Sequence, residues 1–502
     1  MFDFQLLDAE AAPVDVTMMW RRDPVLMHPQ IKLAHQPQRA PNEVGRVTAI
    51  IGQNGTGKTH LLASIIDCML MIENAAKGRA GVIRQFPLQR LSYNVGSSTV
   101  VLERVDQGTA VALVDGVKVA LDDVPLPERI VALTITPFDK FPVPRLAAFS
   151  VQPTDESRYR YLGLRDRTGK ASIENLLFRS LNSLFETKSN PAVSRARISR
   201  VFDFLKLKPK LTVVYRLRVS REVLRACRDG GPILNEEVMR DSGRLRRSQE
   251  VVRSGQATEE ELIAAILHAD TIKDKGFVRL TANFETDGYV DPDFAILQPI
   301  RRAGFLQLTA VEVEQDSGLL TDLKRASSGQ ISIATALLSL ASEIQDGSLV
   351  LIDEPELSLH PDWQIKYIDL LLDTFRGYRG CHFIIATHSP LVISELPSHA
   401  TLVALDNPDA PTAAELAGQS SDVQLAEAFQ VTSNNNLHLR DLMVDAMRAA
   451  ADGEAGTAAF RDQVSHLQKI TSKLDAQDGV CTVVAGLSQA GDMAIEKQNA
   501  AG

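Results

Sequence analysis

Residues 47–59 read Val-Thr-Ala-Ile-Ile-Gly-Gln-Asn-Gly-Thr-Gly-Lys-Thr, an apolar run that leads directly into a glycine-rich loop. The run from Val47 to Ile51 predicts a buried strand, and the segment from His60 to Leu70 is typical of a helix. The loop fits the spacing G-x-x-x-x-G-K-[ST], in which consecutive backbone N–H groups point into one cavity at a helix N-terminus. The predicted phosphate-binding residues are Gly52, Gln53, Asn54, Gly55, Thr56, Gly57, Lys58 and Thr59.

Two residues of this loop carry side-chain chemistry. In a loop of this spacing, the Lys58 ammonium reaches the β- and γ-phosphates of a nucleotide, and the Thr59 hydroxyl binds Mg²⁺. We therefore expect ATP and Mg²⁺ as cofactors. The alternative is a chance match in a glycine-rich turn, which three further motifs disfavour.

A second apolar run, from Ser348 to Ile352, ends in Asp353 and Glu354. Ligands of open α/β sheets gather at the carboxyl ends of the strands. We expect Asp353 to hold Mg²⁺ through water and Glu354 to act as the catalytic general base on the attacking water. A solvated acidic pair is the alternative, and the intact phosphate loop disfavours it.

A third apolar run, from Phe383 to Ala386, is followed by Thr387-His388-Ser389-Pro390. This places the His388 imidazole at the same sheet edge, where it can bond the γ-phosphate or the attacking water. An isolated histidine is more often structural, but the strand-end position favours a catalytic role. Lys58, Glu354 and His388 are thus the predicted catalytic residues, whereas His360 is interpreted as structural or interfacial.

The small residues at 326–329 precede a helical run that reaches Ile344. They leave N–H and hydroxyl groups free at a helix N-terminus, which is a second potential anion site. The simpler interpretation is an ordinary N-cap. Because the acidic strand follows closely, we expect nucleotide contacts from Ser327, Ser328, Gly329 and Gln330.

Together these motifs resemble those of the ABC-type ATPases, whose signature LSGGQ aligns with residues 326–330. Ala326 replaces the Leu, and Ser328 replaces the first Gly. The resemblance implies that the signature of one copy contacts ATP held by the phosphate loop of another, and hence an ATP-dependent homodimer or higher homo-oligomer.

The spacing of the motifs selects a subgroup of these ATPases. Lys58 and Ser327 lie 269 residues apart, which disfavours a plain transporter module. The architecture is similar to the RecF, SMC, Rad50 and OLD-related group, in which an insertion splits the ATPase head. Residues 348–371 and 381–394 most resemble ATPase subunits of Septu-type and retron-associated anti-phage defence systems.

The predicted fold class is α/β: an ABC-ATPase head with a mixed central sheet, split by a mainly helical insertion and followed by a helical tail. We expect the head halves at residues 1–170 and 276–405, the basic insertion at 171–275, and a linker with the helical C-terminal region at 406–502. A capping box of Thr258 and Glu261 predicts a helix from Glu259 to Ala269. Sustained heptads are absent, which favours a compact lobe over a coiled-coil arm.

Charge is distributed unevenly along the 502 residues, of which 44% are hydrophobic. Residues 191–255 contain 16 Lys and Arg against seven Asp and Glu, leaving a net charge of −18 for the rest of the chain. This basic region is a solvated helical face, a nucleic-acid contact or a docking site for a protein partner. The sequence leaves the three interpretations open.

The chain contains no run of 18 apolar residues and no basic segment before an apolar N-terminal stretch. We therefore expect a cytoplasmic protein without a membrane segment. The four cysteines, Cys68, Cys227, Cys381 and Cys481, are far apart and are interpreted as free thiols.

Other candidates are weaker. Residues 136–139 follow a predicted strand where ABC ATPases carry a glutamine that touches Mg²⁺, and Asp139 or Gln152 is a possible substitute. Tyr159 and Tyr161 pack in the core or stack on adenine. In the tail, Phe460, Val464, Leu467 and Leu474 predict a packed helical face.

No D-x-D cluster follows His388, and no HNH-like histidine cluster occurs. This favours an ATP-hydrolysing regulatory or sensor subunit that controls a separate effector, and the resemblance to anti-phage ATPase subunits implies that this effector is a nuclease, with the HNH type as one candidate, in anti-phage defence. The alternative is a RecF- or SMC-like DNA repair or maintenance ATPase whose output is DNA binding. An ATPase that serves a transporter would require a membrane subunit.

Overall fold

The computed structural model describes residues 3–11, 30–33, 45–78, 86–105, 109–143, 157–165, 173, 176–177, 180–181, 199–285, 289–407, 409–430, 436–471 and 479–501. No helix within these ranges is long and apolar enough to cross a bilayer. The strands are β1 (Phe4–Ala11), β2 (Gln30–Lys32), β3 (Arg46–Ile51), β4 (Leu88–Val95), β5 (Ser98–Arg104), β6 (Ala110–Val114), β7 (Val117–Val119), β8 (Ile130–Thr134), β9 (Tyr159–Leu162), β10 (Leu207–Leu217), β11 (Phe277–Asn283), β12 (Leu306–Gln315), β13 (Leu320–Asp322), β14 (Leu349–Asp353), β15 (His382–Thr387) and β16 (Thr401–Ala404). The helices are α1 (Lys58–Ala76), α2 (Arg221–Arg228), α3 (Ser242–Arg253), α4 (Glu259–Ile272), α5 (Asp293–Ile296), α6 (Gln298–Arg302), α7 (Ser328–Glu343), α8 (Pro361–Ile365), α9 (Tyr367–Phe375), α10 (Pro390–Ile393), α11 (Ala413–Leu416), α12 (Ser421–Val423), α13 (Leu437–Ala451), α14 (Ala458–Thr471) and α15 (Gly479–Ala501).

A parallel sheet in the order β16-β3-β15-β14-β8-β9 carries the site. Its strands are buried on both faces, which explains why β14 and β15 are almost continuously apolar rather than alternating. In the register, Asp353 lies opposite Ala386 and Thr134, and Thr387 lies opposite Ile51. The carboxyl ends of four neighbouring strands therefore meet at one edge of this sheet.

The two faces of the parallel sheet belong to two hydrophobic cores. Ile50, Leu351 and Ile384 pack with α1 and with a six-stranded antiparallel sheet in the order β2-β1-β4-β5-β6-β7. Val47 and Ile352, on the opposite face, pack with α7 and with the inserted lobe. The α/β class is confirmed, with parallel and antiparallel strands segregated into separate sheets.

A third, four-stranded antiparallel sheet in the order β11-β10-β12-β13 crosses the predicted boundary between insertion and head. The strand β10 lies within the segment predicted to be mainly helical, and it pairs with β11 and β12 beyond residue 275. Helices α2, α3 and α4 complete this lobe. The predicted capping box of Thr258 and Glu261 is confirmed at the start of α4, which extends to Ile272. The domain boundaries themselves stay a prediction.

The tail forms its own small core from α13, α14 and α15. Phe460, Val464 and Leu467 are buried in it, so the predicted helical face packs within the tail, while Leu474 lies outside the described residues. The segment at 406–407, interpreted from sequence as a linker, is part of the packed structure. Asn407 is buried, and its Nδ2 donates to Glu427 O at 2.8 Å. This bond supplies the partner that a buried amide group requires.

A buried histidine joins the antiparallel sheet to the parallel one. The Leu6 backbone N–H in β1 donates to His382 Nδ1 at 3.0 Å. This leaves the proton on Nε2, which lies 2.9 Å from Thr48 Oγ1, and the Thr48 hydroxyl in turn donates to Leu33 O at 2.6 Å. Burial, with a contribution from Arg46, lowers the pKa of His382 to about 3, so its imidazole is neutral.

Candidate nucleotide-binding site

The predicted phosphate loop connects β3 to α1. Gly52, Gly55 and Gly57 have φ angles of 156°, 86° and 92°, a region that side chains rarely adopt. A Cβ atom on Gly52 would also lie 2.8 Å from Thr56 Oγ1. No side-chain hydrogen bond caps the N-terminus of α1, and the first backbone N–H groups of a helix lack partners within the helix itself, which suits this end to bind an anion.

Lys58 lies at this helix start with only 5% of its surface exposed. Its Nζ donates to the loop carbonyls of Gly52 at 2.7 Å and Gln53 at 3.1 Å. Burial lowers the pKa of Lys58, while nearby carboxylates, first Glu354 and then Glu356, oppose the shift. The ammonium is thus held beside the loop by carbonyls that phosphate oxygens could replace.

Thr59 and Asp353 meet across the sheet edge. The Thr59 hydroxyl lies 3.0 and 2.9 Å from the two carboxylate oxygens of Asp353. Asp353 is 1% exposed, and burial, aided by the neighbouring Glu354, raises its pKa to about 7 despite the Thr59 hydrogen bond. A divalent cation would stabilise the charged form of this buried carboxylate.

The residues therefore fit the expected Mg²⁺. A hydroxyl and a carboxylate supply the hard oxygen ligands that this ion prefers, and it commonly takes the rest from water and nucleotide phosphates. Within the described ranges no group of three or more His, Cys, Asp or Glu is arranged to hold a metal. Thr59 and Asp353 would bind the ion together with the nucleotide.

Glu354 and His388 lie at the same edge. Glu354 follows β14 directly, its N–H donates to Ala386 O at 2.9 Å, and its φ is 49°. Such a left-handed residue costs roughly 1–3 kcal/mol and is common at functional sites. His388 Nδ1 lies 3.7 Å from Glu354 Oε1. The interaction with His388 lowers the pKa of Glu354, which keeps it ionised as a general base must be.

Two carboxylates near the site were not selected from the sequence. Glu356 Oε1 lies 3.0 Å from His388 Nδ1, and Glu354 and Glu356 together raise the pKa of His388 to about 10. Asp406 Oδ2 accepts a hydrogen bond from the Gln53 N–H at 3.2 Å. Asp406 follows β16, so the strand-end rule that selected Asp353 would also have found it.

The signature segment caps its own helix. The Ser327 side chain accepts a hydrogen bond from Gln330 N, and Gln330 Oε1 accepts one from Ser327 N at 3.1 Å. A Cβ atom on Gly329 would lie 2.7 Å from Ser358 O, so the helix start presses against the loop after β14. In the part of the chain that the structure describes, these hydrogen bonds are local and do not reach the phosphate loop.

Four other residues considered from the sequence lie in structural surroundings. Asp139 is 4% exposed and accepts from Tyr161 Oη at 2.9 Å and Arg165 Nε at 3.0 Å, which indicates a structural role; Gln152 lies outside the described residues. Tyr159 and Tyr161 are buried, which supports core packing over adenine stacking. His360 Nδ1 caps α8 by accepting from Asp362 N at 3.3 Å.

The basic region is partly neutralised by local ion pairs. Arg228 lies 2.8 Å from Asp270, Arg244 lies 3.3 Å from Asp241, and Lys208 pairs with Glu314. Arg195 and Arg197 lie outside the described residues. The side chains that are exposed to solvent include Arg221, Arg225, Arg240, Arg246 and Arg253.

A family profile described as "AAA domain, putative AbiEii toxin, Type IV TA system" matches residues 150–394. That range holds the candidate signature, Asp353, Glu354 and His388, and the predicted phosphate loop precedes it. Protein ea59 of Escherichia phage lambda is 33% identical over 129 residues, which are 24% of each protein. The Retron Vc95 probable ATPase of Vibrio cholerae serotype O1 biovar El Tor is 42% identical over 60 residues, 12% of this chain and 11% of the relative. The chain thus spans about a quarter or less of the curated relatives that it matches.

Among solved structures, the SMC head domain from Thermotoga maritima has a TM-score of 0.34 and 12% identity, covering 80% of this chain and 94% of that one. The recombination mediator protein RecF has a TM-score of 0.28 and 11% identity, covering 78% and 94%. The family profile and the retron relative, together with the site's arrangement, support an ABC-type ATPase domain.

Proposed function

We propose that this protein binds ATP with Mg²⁺ and hydrolyses it. The observation that carries the proposal is the convergence of Lys58, Thr59, Asp353, Glu354 and His388 on one edge of the parallel sheet, with Thr59 and Asp353 in contact. This is the arrangement that positions phosphates, metal and attacking water in phosphoryl transfer.

Each residue then has a defined task. The N-terminus of α1 and the Lys58 ammonium hold the β- and γ-phosphates, exchanging the carbonyls of Gly52 and Gln53 for phosphate oxygens. Mg²⁺, bound with the nucleotide, would neutralise charge on those oxygens. Glu354 accepts a proton from the attacking water, and His388 donates a hydrogen bond to the γ-phosphate as charge develops there.

The test is Mg²⁺-dependent phosphate release by purified protein. Lys58→Ala is expected to lose ATP binding, because the cationic phosphate ligand is gone. Glu354→Gln is expected to retain binding and to lower kcat by roughly 10²- to 10⁴-fold, the usual contribution of a general base. Lys118→Ala, a change on the exposed surface of β7, is the control. Undiminished hydrolysis by Glu354→Gln would contradict the general-base assignment.

We further propose that the ATPase is a regulatory or sensor subunit that controls a separate effector, a nuclease, in a Septu-type or retron-associated anti-phage system. Support comes from the names of the relatives: a toxin family and a retron ATPase. Affinity purification of the Glu354→Gln protein from its native host, with mass spectrometry, tests this. A stoichiometric nuclease or reverse transcriptase would support the proposal, whereas recovery of repair proteins with DNA would contradict it.

The exposed arginines favour a second candidate, a RecF-like ATPase whose output is DNA binding. Arg246 and Arg253 are the better residues to replace, because Arg244 bonds Gly304 O at 3.3 Å and lies over the Phe305 ring. DNA-stimulated hydrolysis that is lost in Arg246→Ala/Arg253→Ala would support this function. Hydrolysis that does not respond to DNA would exclude it.

A further inference from the structure

Glu356 is a buried carboxylate that the mechanism above does not use. It is 6% exposed and lies three residues after Asp353. Its Oε1 atom accepts hydrogen bonds from two atoms of a single residue: the backbone N–H of His388 at 2.8 Å and His388 Nδ1 at 3.0 Å. Its Oε2 atom is buried and has no hydrogen-bond partner among the described residues.

Glu73 is a buried carboxylate whose hydrogen bonds are arranged differently. Glu73 is equally buried at 6%, but both of its oxygens are bonded. Oε1 accepts from Arg158 N at 2.7 Å and Lys77 Nζ at 2.9 Å, and Oε2 accepts from Ser157 Oγ at 3.0 Å. A buried charge with half of its acceptors empty is costly. The contacts that offset the free-energy cost of burying the Glu356 carboxylate are those with His388.

The contacts define the state of the His388 ring. An ionised carboxylate only accepts hydrogen bonds, so the proton of this pair lies on Nδ1. Nε2, on the other side of the ring, is then directed away from Glu356. Glu354 Oε1, at 3.7 Å from Nδ1, is beyond hydrogen-bond distance. Nδ1 is therefore hydrogen-bonded to Glu356 and lies farther from Glu354.

We propose that Glu356 is a positioning residue for hydrolysis. It fixes both the backbone and the imidazole of His388, so that Nε2 is presented to the nucleotide while Glu354 stays available to the attacking water. Without Glu356, Nδ1–H would turn to Glu354 and occupy the base. The inference rests on the ATP hydrolysis proposed above.

The test compares Glu356→Gln, which keeps the size and removes the charge, with Glu73→Gln as a matched control. We expect Glu356→Gln to lower kcat by about ten- to a hundredfold. Loss of this size is typical when a residue that orients a functional side chain through a hydrogen bond is replaced. The Kd for ATP should change less than about threefold, because the phosphate loop is intact. Glu73→Gln should lower the melting temperature and leave kcat unchanged.

A double-mutant cycle separates positioning from a general structural effect. If Glu356 acts through His388, Glu356→Gln should cause no further loss of kcat in a His388→Ala background. Additive losses in the two backgrounds would overturn the proposal. So would a Glu356→Gln protein with wild-type kcat.

A readout without ATP distinguishes failure of this inference from failure of the proposed function. In protein labelled with ¹⁵N-histidine, the backbone amide and ring Nδ1–H signals of His388, assigned with His388→Gln, should both shift in Glu356→Gln, because both groups donate to the carboxylate that is removed. Unchanged signals would overturn the positioning role. If the signals change as expected in a protein that does not hydrolyse ATP, the hydrolysis proposal alone fails.

Discussion

His382 is a buried residue whose chemistry makes the joint between two sheets sensitive to acid. Its neutral ring links Leu6 to Thr48, and the Thr48 hydroxyl in turn donates to Leu33 O. Protonation would remove the acceptor at Nδ1 and place a charge in the core. The imidazole is therefore compatible with the fold only in its neutral form.

The pH dependence follows from its pKa, which falls from 6.5 to about 3 on folding. Between these values the unfolded state binds a proton and the folded state does not, so stability falls as the pH falls through this window. We expect His382→Asn to flatten the loss of stability between about pH 6.5 and 4, and to cost roughly 1–3 kcal/mol at neutral pH. Urea unfolding across this pH range measures both.

His399→Asn, a change at an exposed position, is the matched control. It should leave both the midpoint and its pH dependence close to those of the wild type. A His382→Asn protein whose stability fell with acid as steeply as that of the wild type would contradict the assignment.

At the scale of elements, the start of α7 packs so closely against the loop after β14 that no side chain larger than hydrogen fits between them. A Cβ atom on Gly329 would lie 2.7 Å from Ser358 O and 3.3 Å from Trp363 Cζ3. Ser358 itself has a φ of 66°, which limits how far its carbonyl can move. The signature and the segment after the acidic strand therefore hold each other in place.

We predict that Gly329→Ala destabilises the protein by about 1–3 kcal/mol, because the backbone must shift to admit a methyl group. Gly486→Ala in α15 is the control, since a Cβ atom there meets nothing within 4 Å. It should be neutral or stabilising by up to about 1 kcal/mol. Thermal unfolding of both variants measures the two changes in stability. Equal changes would show that the close contact at Gly329 is unimportant.

At the scale of the whole molecule, the hydrogen bonds of the candidate signature, residues 326–330, stay local within the described part of the chain. Ser327 and Gln330 bond each other at the start of α7, and Ser328 is exposed beside them. An exposed surface of this kind is available to a second copy, as the dimer predicted from the motifs requires.

We expect Glu354→Gln to form a dimer with ATP and Mg²⁺ in analytical ultracentrifugation, because closure is not followed by hydrolysis. Adding Ser328→Arg should return it to the monomer without weakening nucleotide binding, since the Ser327 capping box is kept. Ser328→Ala is the control and should leave the dimer intact. A dimer that persists with Ser328→Arg would place the contact elsewhere.

The parallel sheet and most of its site could be read from local sequence. Apolar runs that end in glycines, acids or histidine mark buried parallel strands, and carboxyl ends of such strands meet at one edge. This reasoning selected Lys58, Thr59, Asp353, Glu354 and His388. It missed β10, whose residues lie in a segment dominated by charge and helical patterns, because its pairing with β11 and β12 is long-range.

Local pattern thus selected the candidate phosphate-binding residues and the strand ends that present them, because loop spacing and strand burial are short-range properties. The orientation of His388 by Glu356, the contact of Asp406 with Gln53 and the neutral state of His382 arise from folding. These features depend on distances between segments far apart in the chain and on the loss of water around them. No spacing in the sequence encodes those quantities directly.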